Sequence, residues 1–485
     1  MNGPGYRPVM MTVTGVVRRV CAAGLAVAAV AVLAAQEPAS KAASDQLARW
    51  IETFNAGDRE TWQRFLSRFV AVPAGPFVDQ NLALRRQTGG FELVRVERAA
   101  ATQVVAVVRE RDSEAMGARL TIQVEATAPN RIVQVGVQPG LRLEAQVARL
   151  TARALPGAIE ADLARRVGAA RFSGAVLVAK DGAPVFASAA GEADRERHVP
   201  NRLDTRFRNG SMNKMFTAVA VLSLVQAGKV ALQEPLATYL PDYPDPSIAR
   251  KVTIHQLLTH TAGTGDVFGP DLAAHRDELR QHHDYIARFG RQPLLFEPGA
   301  RWMYSNYGFI LLGAVIERVS GQSYYDYVRS HVYARAGMTD TGSEPEAVDV
   351  PRRAIGYMTA PDGRWTPNAP TLPYRGTAAG GGYTTVTDLL RFADALVRHR
   401  LLDVATTQLL LTGRVEGAGG RYGYGFIEHV SNGVRAFGHG GNAPGMDADL
   451  QIFPDSGYVV AVLANVDPPA AQRVSEFIGL RVPAR

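Results

Sequence analysis

The stretch FRNGSMNKMFTAVAVLSLVQAG (residues 207–228) settles how the larger part of this chain is organised. Its apolar run from Met215 to Ala227 predicts a long helix stopped by Gly228. Ser211 and Lys214 stand at the start of that helix, three residues apart, so hydroxyl and amine share one face. Each has an ordinary use alone: serine is a favoured N-cap and lysine a common surface residue. Together they mean more. Met215, Phe216, Val219 and Leu222 flank that face and would bury it. Burial and the positive helix terminus both disfavour an ammonium and favour a neutral amine. A neutral amine beside a serine can take its proton, which activates the hydroxyl without a histidine.

Outward from this helix, residues 150–485 read as a large α+β domain. Upstream, a helix over 159–167 leads into the strand 174–179, and Asp181-Gly182 turns it into a second strand, 184–190. The pattern returns near the C-terminus, with strands 448–453 and 458–465 around Asp455-Ser-Gly457 and a final amphipathic helix. Strands at both ends with helices between them predict one antiparallel sheet flanked by helices, plus a helical region.

Residues 45–140 have a different texture. Helical periodicity runs from Asp45 to Val70, broken by Asn55-Ala-Gly-Asp58. After Gly89-Gly90 the period becomes strand-like over 91–96, 103–109, 118–126 and 131–137. This is a small α+β accessory module whose opening, LARWIETFNAGDRETWQRFL, resembles the first helices of NTF2-like domains. It shows no acid–base constellation and reads as a packing or substrate-gripping element. QEPASKAAS (36–44) reads as a linker. Before it, Arg18-Arg19 and the apolar run Cys21–Ala35 have the layout of a signal peptide covering residues 1–35, shorter than the ~20 residues that cross a bilayer. The expectation is export to the periplasm or medium, with no stable membrane insertion once the segment is cleaved. Cys21 is the only cysteine, so the mature chain would hold no disulfide and no thiol nucleophile.

Two further motifs follow the serine helix in order: Tyr304-Ser-Asn306, just before a helix over 307–319, and His439-Gly440-Gly441, after a strand over 434–437. A serine–x–x–lysine at a helix start, a later tyrosine–x–asparagine and a late lysine- or histidine–x–glycine mark the serine β-lactamase and penicillin-binding-protein superfamily. The chain resembles that superfamily, especially class C β-lactamases and their esterase and D-aminopeptidase relatives, over about 155–485. VTIHQLLTHTAG (252–263), FEPGARWMYSNYGFILLGAVIERVSG (296–321) and GTAAGGGYTTVTDLLRFADAL (376–396) support the likeness.

The resemblance implies a β-lactamase/transpeptidase-like fold and a hydrolase working through an acyl-enzyme. Ser211 is then the nucleophile, Lys214 its base and Tyr304 the proton relay to the leaving group, a phenol able to ionise beside an ammonium. The N–H groups of Ser211 and Asn442 form the oxyanion hole. Asn306, His439, Gly440 and Gly441 are substrate-binding candidates, Asn306 through its amide and the glycines through close backbone approach. His439 and Gly440 replace the ammonium and hydroxyl that grip a β-lactam carboxylate. That departure orders the activities as carboxylesterase, then D-aminopeptidase or DD-peptidase, then β-lactamase. A different class stays open: an acyl-accepting penicillin-binding sensor or a binding protein without turnover.

Partners follow from composition. A net charge of +7, with arginines scattered and not interleaved with aromatics, excludes nucleic acid. The substrate is a small ester or peptide, cell-wall peptide included. No cofactor and no metal are implied: His275, His282 and His283 lie in a charged stretch without a zinc spacing and read as a solvated helix face. His260 reads as a structural histidine bonded to loop backbone. There is no G-x-S-x-G elbow, and Gly380-Gly-Gly382 lacks the lysine of a phosphate loop.

Overall fold

The computed structural model describes residues 9–12, 37–71, 77–145, 147–360 and 363–484. The chain divides into two compact units, 5–146 and 147–485. The apolar run Cys21–Ala35 lies outside the described residues. Among the described residues no helix is long and apolar enough to cross a membrane.

The smaller unit contains β1 (Val9–Thr12), α1 (Glu37–Ala56), α2 (Arg59–Phe69), α3 (Phe77–Thr88), β2 (Phe91–Ala99), β3 (Gln103–Glu110), β4 (Met116–Val124) and β5 (Ile132–Arg142). Its strands form one antiparallel sheet in the order β1-β5-β4-β3-β2. The helix break falls where the sequence places it. Gly57 takes a left-handed φ of 73°, and Asp58 caps α2 by accepting from Thr61 N at 2.7 Å. Asn55 then ties the end of α1 to the first residue of β2, bonding both Phe91 N and Phe91 O at 2.8 Å. Trp50, Phe54 and Phe91 stack as the centre of this core, with ring centroids 4.9 Å and 4.6 Å apart along the stack.

Two features depart from the sequence reading. The stretch taken as a linker belongs to α1, which starts at Glu37. Its alanines, lysine and glutamate are strong helix formers, and Pro38 is tolerated in a first turn. Ala43 is also packed fully away from solvent. The strand β1 falls inside the segment read as a signal peptide and pairs with β5, Met10 opposite Gly136.

The larger unit is built on an eight-stranded antiparallel sheet. Its elements are α4 (Leu155–Gly168), β6 (Gly174–Lys180), β7 (Ala183–Ala190), α5 (Asn213–Gln226), α6 (Asn306–Ser320), α7 (Val386–Val397), β8 (Val415–Gly417), β9 (Gly420–Tyr422), β10 (Ile427–Ser431), β11 (Val434–Ala443), β12 (Met446–Phe453), β13 (Tyr458–Ala464) and α8 (Ala470–Gly479), with shorter helices between α5 and α6. The sheet order is β8-β9-β10-β11-β12-β13-β6-β7. The first hairpin of the unit thus lies beside its last strand. That hairpin turns on Asp181 and Gly182, both left-handed, as a tight Asp-Gly turn requires.

The sheet is covered on both faces. Ala175, Leu177, Ala461 and Leu463 pack into the core that contains α5, α6 and α7. Val176, Val178, Val460 and Val462, one residue out of step, pack with α4 and α8. This double burial explains why β6 and β13 read as continuous apolar runs and not as alternating ones. α5 lies on the first face with every residue from Asn213 to Leu222 buried, so the sheet side and the helical side both close around it.

Candidate active site

Ser211 sits in a single 3-10 turn, Gly210–Met212, that feeds directly into α5. Gly210 is left-handed, with φ 50°, and a Cβ there would lie 3.0 Å from Gly441 C and 3.1 Å from Asn442 N. Strand β11 therefore runs against the nucleophile turn, with the backbone N of Asn442 close to Gly210, the residue before Ser211. Ser211 and Asn442 line one cavity, as an oxyanion hole needs. The close approach also defines Gly441: a Cβ there would stand 1.9 Å from Asn209 O. Gly441 is required by the packing of strand on turn.

Lys214 is completely buried. Its Nζ lies 3.2 Å from Ser211 Oγ, 2.7 Å from Asn306 Oδ1 and 2.5 Å from Ala379 O. It also stands 4.6 Å above the Tyr304 ring. Burial pulls its pKa down to about 7, against a weaker opposing pull from Asp266. The partners then fix the orientation of the neutral amine. Asn306 Oδ1 and the Ala379 carbonyl can only accept, so they take the two amine hydrogens. The lone pair is left for the one neighbour that can donate, the Ser211 hydroxyl.

Tyr304 is half-buried, and its hydroxyl hydrogen-bonds Ser211. Burial pushes the phenol above its usual range, and the Ser211 hydrogen bond only partly offsets this. The resting site therefore holds a neutral phenol, in place of the ionised phenol considered from sequence, and Lys214 stands as the proton acceptor expected there. Ser305, not Asn306, caps α6 by accepting from Gly308 N at 2.9 Å. Asn306 was expected to offer its amide to a substrate carbonyl. Asn306 lines the cavity beside Ser211; there its Oδ1 receives Lys214 and its Nδ2 donates to Asp266 at 3.0 and 3.2 Å. Its work here is to hold the base.

The His439-Gly440-Gly441 triplet differs from expectation in a similar way. His439 is buried, Nε2 lies 3.1 Å from Tyr422 Oη and Nδ1 lies 2.5 Å from Gly440 O. Burial, reinforced by Lys214, lowers its pKa to about 3. The ring is neutral, as the sequence suggests, but both nitrogens already have partners. Alternation along β11 turns Gly440 to the opposite face, where a Cβ would meet Asp449 Oδ1 at 3.3 Å and Gln472 Nε2 at 3.4 Å. The cavity beside Ser211 is walled by Gly210, Asn306, Ala379–Gly381, Asn442–Pro444, Met446, Thr371–Pro373, Phe268 and the ion pair Arg208–Glu346. Among the described residues, His439, Gly440 and Gly441 are not in that wall.

Other histidines sort cleanly. His260 accepts from Ser305 N at 3.1 Å through Nδ1, the structural role read from sequence. His283 is exposed, but His282 is fully buried between Glu317 and Ala378, so the solvated-face reading fails there. A signal was present: His282, Tyr285 and Phe289 recur at i, i+3, i+7, and all are buried. Asp266 and the Ala379 carbonyl were missed. The first sits in a loop without periodicity, and a backbone carbonyl leaves no mark in residue type.

The family model described as Beta-lactamase matches residues 158–482. The chain is similar to Esterase EstB of Burkholderia gladioli, 32% identical over 329 residues that cover 60% of this chain and 83% of that protein. It is also similar to the solved penicillin binding protein from Bacillus halodurans, with 37% identity and TM-score 0.60 over 64% of this chain and 98% of that one. The D-stereospecific amidohydrolase from Streptomyces sp. superposes with TM-score 0.55 at 29% identity, covering 67% of this chain and 98% of its own.

Proposed function

The chain belongs to the Beta-lactamase family, and from that premise we propose that it is a serine hydrolase cleaving small esters, or amides of D-amino acids, through an acyl-enzyme on Ser211. One observation carries this reading: the buried Lys214, with a pKa near 7 and two acceptor-only partners, aims its lone pair at the Ser211 hydroxyl. Relative to the same amine in water, the site favours the neutral form by about 5 kcal/mol.

The steps follow. Ser211 Oγ bonds to the substrate carbonyl carbon as its proton passes to Lys214 Nζ. The negative oxygen of the tetrahedral intermediate accepts from the N–H groups of Ser211 and Asn442. The bond to the leaving group breaks while Tyr304 donates its phenolic proton to that group and recovers one from the Lys214 ammonium. Water then attacks the acyl carbon with Lys214 again as base, releasing the acid and restoring Ser211. The cavity wall supports a neutral acyl group: Phe268, Leu372, Pro373, Ala443, Pro444 and Met446 are apolar, and its charges, Arg208 and Glu346, are paired with each other. With His439 neutral and committed, a β-lactam carboxylate lacks the usual cation.

The test joins intact-mass labelling to turnover. A fluorophosphonate should add once, at Ser211, p-nitrophenyl butyrate should be hydrolysed, and nitrocefin kcat/KM should be about 10²-fold lower or less. Ser211→Ala should abolish both labelling and ester turnover while remaining folded. Normal turnover by that variant would end the proposal. We also propose export, motivated by Arg18-Arg19 and the apolar run Cys21–Ala35. N-terminal sequencing of secreted protein should find a chain beginning near Gln36, and material outside the cell that retains Met1 would contradict it.

A further inference from the structure

His282 has no place in the steps above, yet it is buried in the larger unit at a polar junction. Ala378 N donates to its Nε2 at 3.1 Å, so the ring proton is on Nδ1, facing Glu317 Oε1 at 3.0 Å. The same Glu317 oxygen accepts from Tyr324 N at 3.1 Å. α6 approaches so closely that a Cβ on Gly313 would stand 2.7 Å from both His282 Nε2 and Ala378 Cβ.

The segment that His282 grips is the one that orients the base. Ala379 O receives Lys214, and Ala378 O receives Thr217 Oγ1 at 2.7 Å. Asn213 Nδ2 donates to Thr377 O at 2.7 Å, and Ala379 N bonds Thr377 Oγ1 at 3.2 Å. Lys214, Thr217 and Asn213 all belong to α5, and the last bond is internal to the segment. The Ala378 N–H to His282 is thus the bond tying this dipeptide to a different helix, His282–Phe289, and through Glu317 to α6. A carbonyl fixed from one side only can swing about its neighbouring bonds, whereas one pinned from two helices keeps its direction.

We propose that His282 is a positioning residue for acylation: through Ala378 it holds the Ala379 carbonyl in the direction that takes one hydrogen of Lys214 and leaves the amine lone pair on Ser211. This rests on the hydrolase reading above. His282 does not itself line the cavity, so its loss should act on the proton-transfer step more than on substrate affinity. Leucine at 282 removes both bonds. Asparagine stays polar but is too short to reach Glu317 and Ala378 together. Glutamine can present an acceptor to Ala378 and a donor to Glu317.

The experiment measures the second-order rate of fluorophosphonate labelling per folded molecule, and kcat and KM for p-nitrophenyl butyrate, in wild type, His282→Leu, His282→Asn and His282→Gln. Labelling and kcat should fall about tenfold or more in the leucine and asparagine variants, with KM within about twofold of wild type, and His282→Gln should recover most of the loss. If His282→Leu does not fold, His282→Asn carries the same expectation. Wild-type rates in a folded His282→Leu or His282→Asn protein would overturn the proposal, as would parallel losses in kcat and affinity that glutamine does not restore. Failure of the wild type to label would instead overturn the hydrolase reading itself.

Discussion

Lys214 and His439 are both buried basic side chains near Ser211, and burial disfavours the charged form of both, yet only one is equipped to react. Lys214 keeps a pKa near 7 and has two acceptor-only neighbours, which leave its lone pair unspent and aimed at a hydroxyl. His439 falls to about 3 and finds a partner for each nitrogen, Tyr422 Oη and Gly440 O. A disfavoured charge is thus common to both and does not by itself make a base. What separates them is the hydrogen-bond inventory: a buried nitrogen is reactive when its neighbours leave one lone pair without a donor other than the nucleophile.

That contrast can be broken by substitution. Lys214→Met keeps the packed stem and removes the base, and ester kcat/KM should fall about 10²-fold or more, the range for losing a general base. A variant that retained near-full acylation would shift the proton acceptor to Tyr304. The opposite expectation holds for His439. His439→Gln keeps the bond to Tyr422 and should change ester kcat/KM by less than about threefold, its effect appearing in thermal stability through the lost bond to the Gly440 carbonyl. A large loss of kcat there, with the fold intact, would place His439 in the chemistry and erase the distinction.

The same contrast shows what residue types and spacing can reveal. The serine turn with the helix that follows it, the Asp181-Gly182 hairpin and the strands at both ends of the larger unit are local patterns, and the structure holds each near its expected bounds. The chemistry around Lys214 is not local. Ala379 O lies 165 residues away in sequence and acts through the backbone, while Asp266 reaches Asn306 from a loop. Asn306 was legible as a site residue, but its partners were not, since an amide held between a lysine and an aspartate looks the same in sequence as one facing a ligand. Gly441 was legible as a glycine that permits close approach. Only the structure shows that what approaches is Asn209 O. Residues 37–44 read as linker because small polar composition suits both linkers and first turns, and the burial of Ala43 decides between them.

The central claim is that Lys214, neutral through burial, is the base that activates Ser211. The direct measurement is the pH dependence of the fluorophosphonate labelling rate in wild type and Lys214→Met. Below its pKa of about 7 the ammonium has no lone pair, so the wild-type rate should climb with pH through a midpoint near 7 and then level off. His439 titrates far lower and should not contribute to that rise. Lys214→Met should label slowly and without the inflection. A wild-type rate that is flat across about pH 6 to 8, or the same inflection surviving in Lys214→Met, would contradict the account.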